Sequence, residues 1–248
     1  MNILKTLTFL LCSAALFGQT PISYTIDVSQ NTDTFYVSLD LPEALSKTNN
    51  IYQFAATAPG TYQTQNIGRF ISDFKAFNKK GKELSVTYNA PNQYIISKPH
   101  KAVSVSYKVA ETFDTKVKSY PVYMMCGSSI EEDHTLINVH TIMGYFKGKQ
   151  SNALKIKLIG NPDWKIGTAL DFEDGYYVAS SYDHAVDSPI LAGDLTEAST
   201  QVDDTPIKIY TYSQQGKFNS ESLLKNMEAM LEASRKFLIK LPVNKYTF

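Results

Sequence analysis

Gln53 to Phe74 reads QFAATAPGTYQTQNIGRFISDF, an apolar lead-in that meets a tight corner and leaves it through an aromatic-rich return. Within it, Ala58-Pro59-Gly60-Thr61 puts Pro and Gly where a type II turn requires them: Pro fixes φ at the first corner and Gly accepts a positive φ at the second. Tyr62 follows just past that corner. The stretch reads as a loop closing two strands of a β domain, or as a loop that presents Gly60 and Tyr62 to a ligand.

The flanks decide for β. Upstream, Ile22, Tyr24, Ile26 and Val28 alternate with Ser23, Thr25, Asp27 and Ser29. After Gln30-Asn31-Thr32 the alternation resumes at Phe35, Val37, Leu39 and Leu41, a half-buried hairpin of period two. Ile51 to Thr57 reads as a strand entering the corner. Gly68 to Phe74 fits both a strand and one helical turn, and is expected to be extended, then irregular.

Downstream, Asn78 to Lys82 is a charged hairpin tip with Gly81 at its corner. Tyr94 to Ile96 forms a short strand, and Val103, Val105, Tyr107 and Val109 a longer one whose solvated face carries Ser104, Ser106 and Lys108. Periodicity then fails from Glu111 to Asp133, a long polar and aromatic loop. Leu154, Ile156 and Leu158 alternate again, Gly160 to Trp164 is a turn presenting the one Trp, and Tyr176 to Tyr182 and Ile207 to Tyr212 are strand-like. The segment Asp183 to Asp204 between those last two reads as an acidic loop.

Only the last stretch changes period. Leu223, Met227, Met230, Leu231, Ser234 and Leu238 share one face of an amphipathic helix, with Asn219 as N-cap, Phe218 stapled back on Leu223, and Pro242 as the stop. The expected fold is therefore mainly β and sandwich-like, with one carboxy-terminal amphipathic helix.

Composition narrows the function. Residues 1–18 carry a basic start, an apolar run from Thr6 to Phe17 and the small Gly18, the pattern of a secretory signal peptide, so the expected location is periplasmic or secreted. Losing Lys5 with that leader leaves 23 basic against 24 acidic side chains, which gives no electrostatic case for nucleic acid or anionic membrane, and no transmembrane segment is expected. Cys126 would be the one remaining thiol, so burial rather than disulfides must supply stability.

Catalytic machinery is not legible. The four histidines are His100, His134, His140 and His184, and neither HExxH nor CxxC supplies a convergent pair of metal ligands. His134 and His140 would share a face if both lay on one strand. There is no GxSxG elbow or phosphate-cradling glycine loop, and Cys126 reads as a buried small hydrophobe. No catalytic or metal-binding residue is assigned; Gly60 and Tyr62 are the candidate substrate-binding residues.

Six segments, taken in order, carry a resemblance. They are Ala58-Pro59-Gly60-Thr61-Tyr62 with Gly68-Arg69-Phe70-Ile71, Gly81 before a strand, Asn161 to Leu170, Tyr182 to Ile190 with Gly193, and Leu241 to Phe248. Together they resemble the amino-terminal domain of the M61 family of glycyl aminopeptidases. The resemblance implies a β-rich domain over 19–217, then a helix and first strand over 218–248 leading toward a thermolysin-like catalytic domain. It further implies that zinc, HExxH and the activated water belong to that catalytic domain, so this chain is expected to be truncated before it, inactive alone, and free of cofactor. The partners implied are the catalytic domain, on the same or a split polypeptide, and a peptide substrate.

Two functions follow: a non-catalytic domain walling one side of an aminopeptidase cleft, or a free-standing exported β-sandwich module binding peptide or glycan through Tyr62, Tyr120, Tyr123 and Trp164. Tyr246-Thr247-Phe248, expected to be a strand left unpaired at an edge, favours the first.

Overall fold

A computed structural model describes residues 20–248, so the expected leader lies outside the described residues. The chain runs through β1 (Ile22–Asp27), β2 (Thr34–Asp40) and β3 (Ile51–Gln53), and a 3-10 turn at Ile67–Phe70 delivers it into β4 (Ile71–Asn78). There follow β5 (Glu83–Leu84), β6 (Val86–Tyr88), β7 (Gln93–Ile96) and β8 (Ala102–Ala110). Next come β9 (Ser129–Ile130), β10 (His134–Ile137), the single-turn helix α1 (Val139–Ile142) and β11 (Tyr145–Phe146). The chain continues with β12 (Leu154–Ile159), β13 (Lys165–Gly167), β14 (Asp171–Glu173), β15 (Tyr176–Ala179), the short helix α2 (Tyr182–Val186) and β16 (Ile190–Gly193). β17 (Thr196–Val202), β18 (Thr205–Thr211), the long helix α3 (Ser220–Leu238) and β19 (Tyr246–Thr247) complete it.

These strands build an eight-stranded sheet in the order β14-β15-β12-β1-β2-β8-β4-β5, two four-stranded sheets, β13-β16-β10-β9 and β11-β3-β7-β6, and a three-stranded sheet, β17-β18-β19. Alternation explains the large sheet. Tyr24, Ile26, Val37, Leu39, Val105, Tyr107 and Val109 are buried, while Ser38, Ser106 and Lys108 take the other face.

The buried face meets the small sheets through aromatic side chains. Phe54 stands edge-on to Tyr107 at 5.0 Å, and Phe74 of β4 stacks on Tyr94 of β7 at 4.2 Å. Such pairs add about 0.5–1.5 kcal/mol each to simple burial. Their hydroxyls are satisfied across the same gap: Tyr24 donates to the Gly144 carbonyl at 2.8 Å, and the Tyr52 and Tyr107 hydroxyls lie 3.2 Å apart. A sandwich-like, mainly β domain with one long carboxy-terminal helix is what these contacts make.

Several local expectations are corrected. Ile67–Phe70 is a helical turn that precedes the strand from Ile71, the reverse of extended then irregular. Asp183 to Asp204 is not a loop but contains most of α2 together with β16 and β17, the last a largely exposed edge strand whose TEASTQV has no apolar alternation to betray it. Tyr246-Thr247-Phe248 is not left unpaired: β19 runs parallel to β18, with Phe248 N–H on the Lys208 carbonyl at 2.9 Å.

Helix α3 is capped as expected. Asn219 Oδ1 accepts the Ser222 N–H at 2.8 Å, and Ser222 Oγ accepts the Asn219 N–H in return. The helix nevertheless ends at Leu238, ahead of Pro242, and Phe218 is exposed rather than stapled. It packs on β17 and β18 through the half-buried Leu223, Leu224, Met227 and Leu231. Met230 and Leu238, expected on the same buried stripe, are exposed, as are Phe237 and Ile239.

Candidate functional site

The Ala58–Thr61 corner forms as its residues dictate. Thr61 N–H donates to the Ala58 carbonyl at 3.2 Å, and Gly60 has φ +78° with open space around it. Thr61 Oγ1 donates to the same carbonyl at 2.7 Å, and Thr57 Oγ1 to Gln63 O at 2.7 Å, so short side chains stitch the loop to itself. Tyr62 emerges 97% exposed with φ 50°.

A second loop is tied against it. Gln63 Nε2 donates to the Pro121 carbonyl at 2.6 Å while its Oε1 accepts the Tyr123 N–H at 3.2 Å. The Arg69 guanidinium donates to the Ser119 carbonyl at 2.7 Å and to that of Tyr120. The Cys126 thiol donates to Thr61 O at 3.9 Å. Glu111 anchors the start of this loop by accepting the N–H groups of Phe113, Asp114 and Thr115 at 2.8–3.1 Å; burial pushes its carboxyl up to about 7, against the pull of those donors.

Tyr62 and Tyr120 therefore stand on neighbouring loops, both exposed and both in the left-handed region at φ 50° and 54°, with Tyr123, Met124 and Met125 exposed beside them. A bulky residue there carries strain of order 1–3 kcal/mol, which the hydrogen bonds through Gln63 and Arg69 hold in place. Trp164 does not join them. It is partly buried against the core at the Asn161 turn and is not presented.

Behind Gly60 lies a cleft of about 520 Å³, lined by the Ala58–Thr61 corner, Met125-Cys126, Asn138 and His140, and by Asp183, Val186 and Asp187 of the α2 segment. Two of the segments singled out in the sequence, around Pro59-Gly60 and Tyr182-Asp183, are thus brought to one place. His140 sits on α1, not on a strand with His134. It is 4% exposed, its Nε2 has no hydrogen-bond partner, and burial lowers its pKa to about 4, so it is neutral at pH 7.

The other histidines are dispersed: His134 stacks on Tyr212 at 3.8 Å and pairs with Asp133, and His184 Nδ1 accepts the Ser180 N–H at 3.1 Å. His140, Asn138, Asp183 and Asp187 were not legible as site residues. The signal that could have found the two aspartates was their place in the Tyr182 to Ile190 segment.

The strands and the long final helix define a class of fold, a mainly β, sandwich-like domain with one carboxy-terminal helix. The chain belongs to the peptidase M61 N-terminal domain family, whose profile matches residues 23–194, the body of the sandwich up to the start of β17. In fold it is similar to an aminopeptidase N family protein from Idiomarina loihiensis, with TM-score 0.77, 19% identity, and coverage of 92% of this chain and 38% of that one. It is also similar to aminopeptidase A of Legionella pneumophila in complex with aspartic acid, with TM-score 0.50, 14% identity, and coverage of 92% and 28%. The chain thus spans less than two-fifths of these structures. No curated protein sequence matches it.

Proposed function

We propose that this is the non-catalytic amino-terminal domain of an exported zinc-dependent aminopeptidase, and that its paired loops, with Gly60 and Tyr62 at their tip, wall one side of the substrate cleft. The observation that carries this reading is the strained, tethered and exposed placement of Tyr62 beside Tyr120, which costs stability and contributes nothing to the core. Zinc would sit in the catalytic domain, where it would activate water and polarise the scissile carbonyl. Among the described residues no group of three His, Cys, Asp or Glu could hold a metal ion, and no step of hydrolysis is assigned to them.

The catalytic domain would pack against the carboxy-terminal end of α3 and the residue that follows it. Phe237 and Ile239 are 85% and 88% exposed there, in a domain whose other large apolar side chains are mostly buried. Export rests on the leader pattern of residues 1–18.

The test is association. An M61 catalytic domain is mixed with the parent chain and with a Phe237→Lys/Ile239→Lys variant, and complex formation is followed by sedimentation velocity. A complex with the parent that the variant loses supports the reading; no complex with either excludes it.

The free-standing alternative draws on the same three tyrosines, Tyr62, Tyr120 and Tyr123, which suit stacking on a peptide or glycan. Binding of such ligands by the isolated chain, with no affinity for a catalytic domain, would favour it.

A further inference from the structure

The charges of the chain balance in total but not in place. Two turns lie side by side at one end of the large sheet, because Asn78 of β4 stands opposite Ala102 of β8. The first is the β4–β5 tip, where Asn78 Oδ1 accepts the N–H groups of Lys80 and Lys82 at 2.9 and 3.1 Å and Gly81 takes φ +71°. The second is the 3-10 turn at Pro99–Lys101, with Lys98 before it. Lys79, Lys80, Lys82, Lys98 and Lys101 are all exposed, and none forms an ion pair among the described residues.

Between these turns and the connector that follows β2 opens a cleft of about 480 Å³, into which Lys79, Lys80, His100 and Lys101 face. Its one carboxylate, Glu43, is answered by Lys149 at 3.2 Å. Glu83 and Asp40 stand nearby, too few to balance the lysines. At the opposite end of the same sheet the β1–β2 hairpin, residues 27–34, carries Asp27 and Asp33 and no cation. Like charges held on adjacent turns repel one another, so this end gains from a negative partner. None of the polar side chains lining the cleft is buried, so nothing preorganises a pocket for a single anion. Ammonium groups on flexible stems suit an extended negative surface instead.

The start of the fold selects that surface. β1 begins at Ile22, whose N–H donates to the Ala153 carbonyl at 3.0 Å, and Ser23 pairs with Asp40, just before the connector that lines the cleft. The chain therefore enters the fold at its lysine-bearing end, where the leader read in residues 1–18 joins it. We infer that this end of the sheet docks on an anionic lipid surface, with Lys79, Lys80 and Lys101 against headgroup phosphates and Lys82 and Lys98 at the flanks. The choice of lipid rests on the proposed export. The placement of the lysines does not, and it shares no residue with the Tyr62 loop.

The experiment takes the chain from Thr20 onward, so that the leader cannot itself bind, and follows cosedimentation with two kinds of vesicle. One is phosphatidylcholine alone; the other is phosphatidylcholine and phosphatidylglycerol in equal parts. Binding is expected only to the second and should fade as salt is raised. Each lysine near such a surface is worth about fivefold in partitioning, so Lys79→Gln/Lys80→Gln/Lys101→Gln should weaken binding about a hundredfold with the melting temperature unchanged. Lys116→Gln/Lys118→Gln/Lys165→Gln removes the same charge from exposed sites elsewhere and should bind as the parent does. No binding to the anionic vesicles, equal losses in the two variants, or equally tight binding of a single-stranded oligonucleotide at the same salt overturns the inference. Because the leader is absent, the inference can fail while export stands.

Discussion

The Gly68 N–H donates to Asn92 Oδ1 at 3.0 Å, and a Cβ on Gly68 would fall inside the carbonyl oxygen of Pro91. Asn92 in turn donates to Asn66 Oδ1 at 2.8 Å, so the exit from the Tyr62 loop is clamped to the turn before β7. Gly68→Ala must displace backbone rather than a flexible side chain, and is expected to cost about 3 kcal/mol or more. Asn92→Ala leaves a buried N–H unmet and is expected to cost about 1–3 kcal/mol. Urea unfolding of both variants checks this, and a loss under about 0.5 kcal/mol for Gly68→Ala would contradict the packing.

Tyr62 makes the opposite prediction. Its φ of 50° is one that glycine adopts without steric penalty, and its side chain is almost wholly exposed. Tyr62→Gly should leave the domain as stable as the parent or raise its stability by up to about 1 kcal/mol. A marked fall in melting temperature would mean that the ring supports the fold, and that its exposure is not kept for a ligand.

His140 ties stability to pH. Burial lowers its folded-state pKa from 6.5 to about 4, so the folded protein binds this proton less readily than the unfolded chain. Its contribution is complete above pH 6.5 and is lost as pH falls toward 4, by up to about 3 kcal/mol. Glu111 acts in the other sense: its carboxyl is raised to about 7, so its share is present below its unfolded value of 4.5 and is lost as pH rises through 7. The two are separated by His140→Phe, which should remove the rise in stability between pH 4 and 6.5 and leave the Glu111 decline between pH 4.5 and 7 unopposed. An identical slope in the variant would contradict the assignment.

The helix α3 stripe divides. Leu231 is half-buried against the β17–β18 hairpin, whereas Phe237 and Ile239 are almost fully exposed. Leu231→Asp should therefore destabilise by about 1–3 kcal/mol, while Phe237→Lys and Ile239→Lys should improve solubility with the melting temperature unchanged. Differential scanning calorimetry of the three variants decides, and a stable Leu231→Asp would mean that the helix is not docked on the hairpin.

What was legible follows from where the signal resides. β1, β2 and β8 announce themselves because one face is buried and the other solvated, so Tyr24, Ile26, Val37 and Leu39 alternate with polar partners. β17 was missed because TEASTQV is largely exposed, and α2 because five residues are too few to show a period. The Pro59-Gly60 corner was read correctly, since its geometry is set by the residues that make it. The cleft behind it was not: residues 58–61, 138–140 and 183–187 meet only through tertiary packing, and no local pattern encodes a contact across such separations. Trp164 was misread for the complementary reason, as a turn position says nothing about which way a ring packs.

The central claim is that the Tyr62 loop faces substrate in an aminopeptidase. The measurement that meets it most directly is steady-state hydrolysis of a glycyl anilide by an M61 catalytic domain joined to this chain, comparing the parent with Tyr62→Gly. The account predicts a loss of about tenfold in kcat/KM, carried mostly by KM, with the melting temperature of the domain no lower than the parent's. Identical kcat and KM in the two proteins would contradict it.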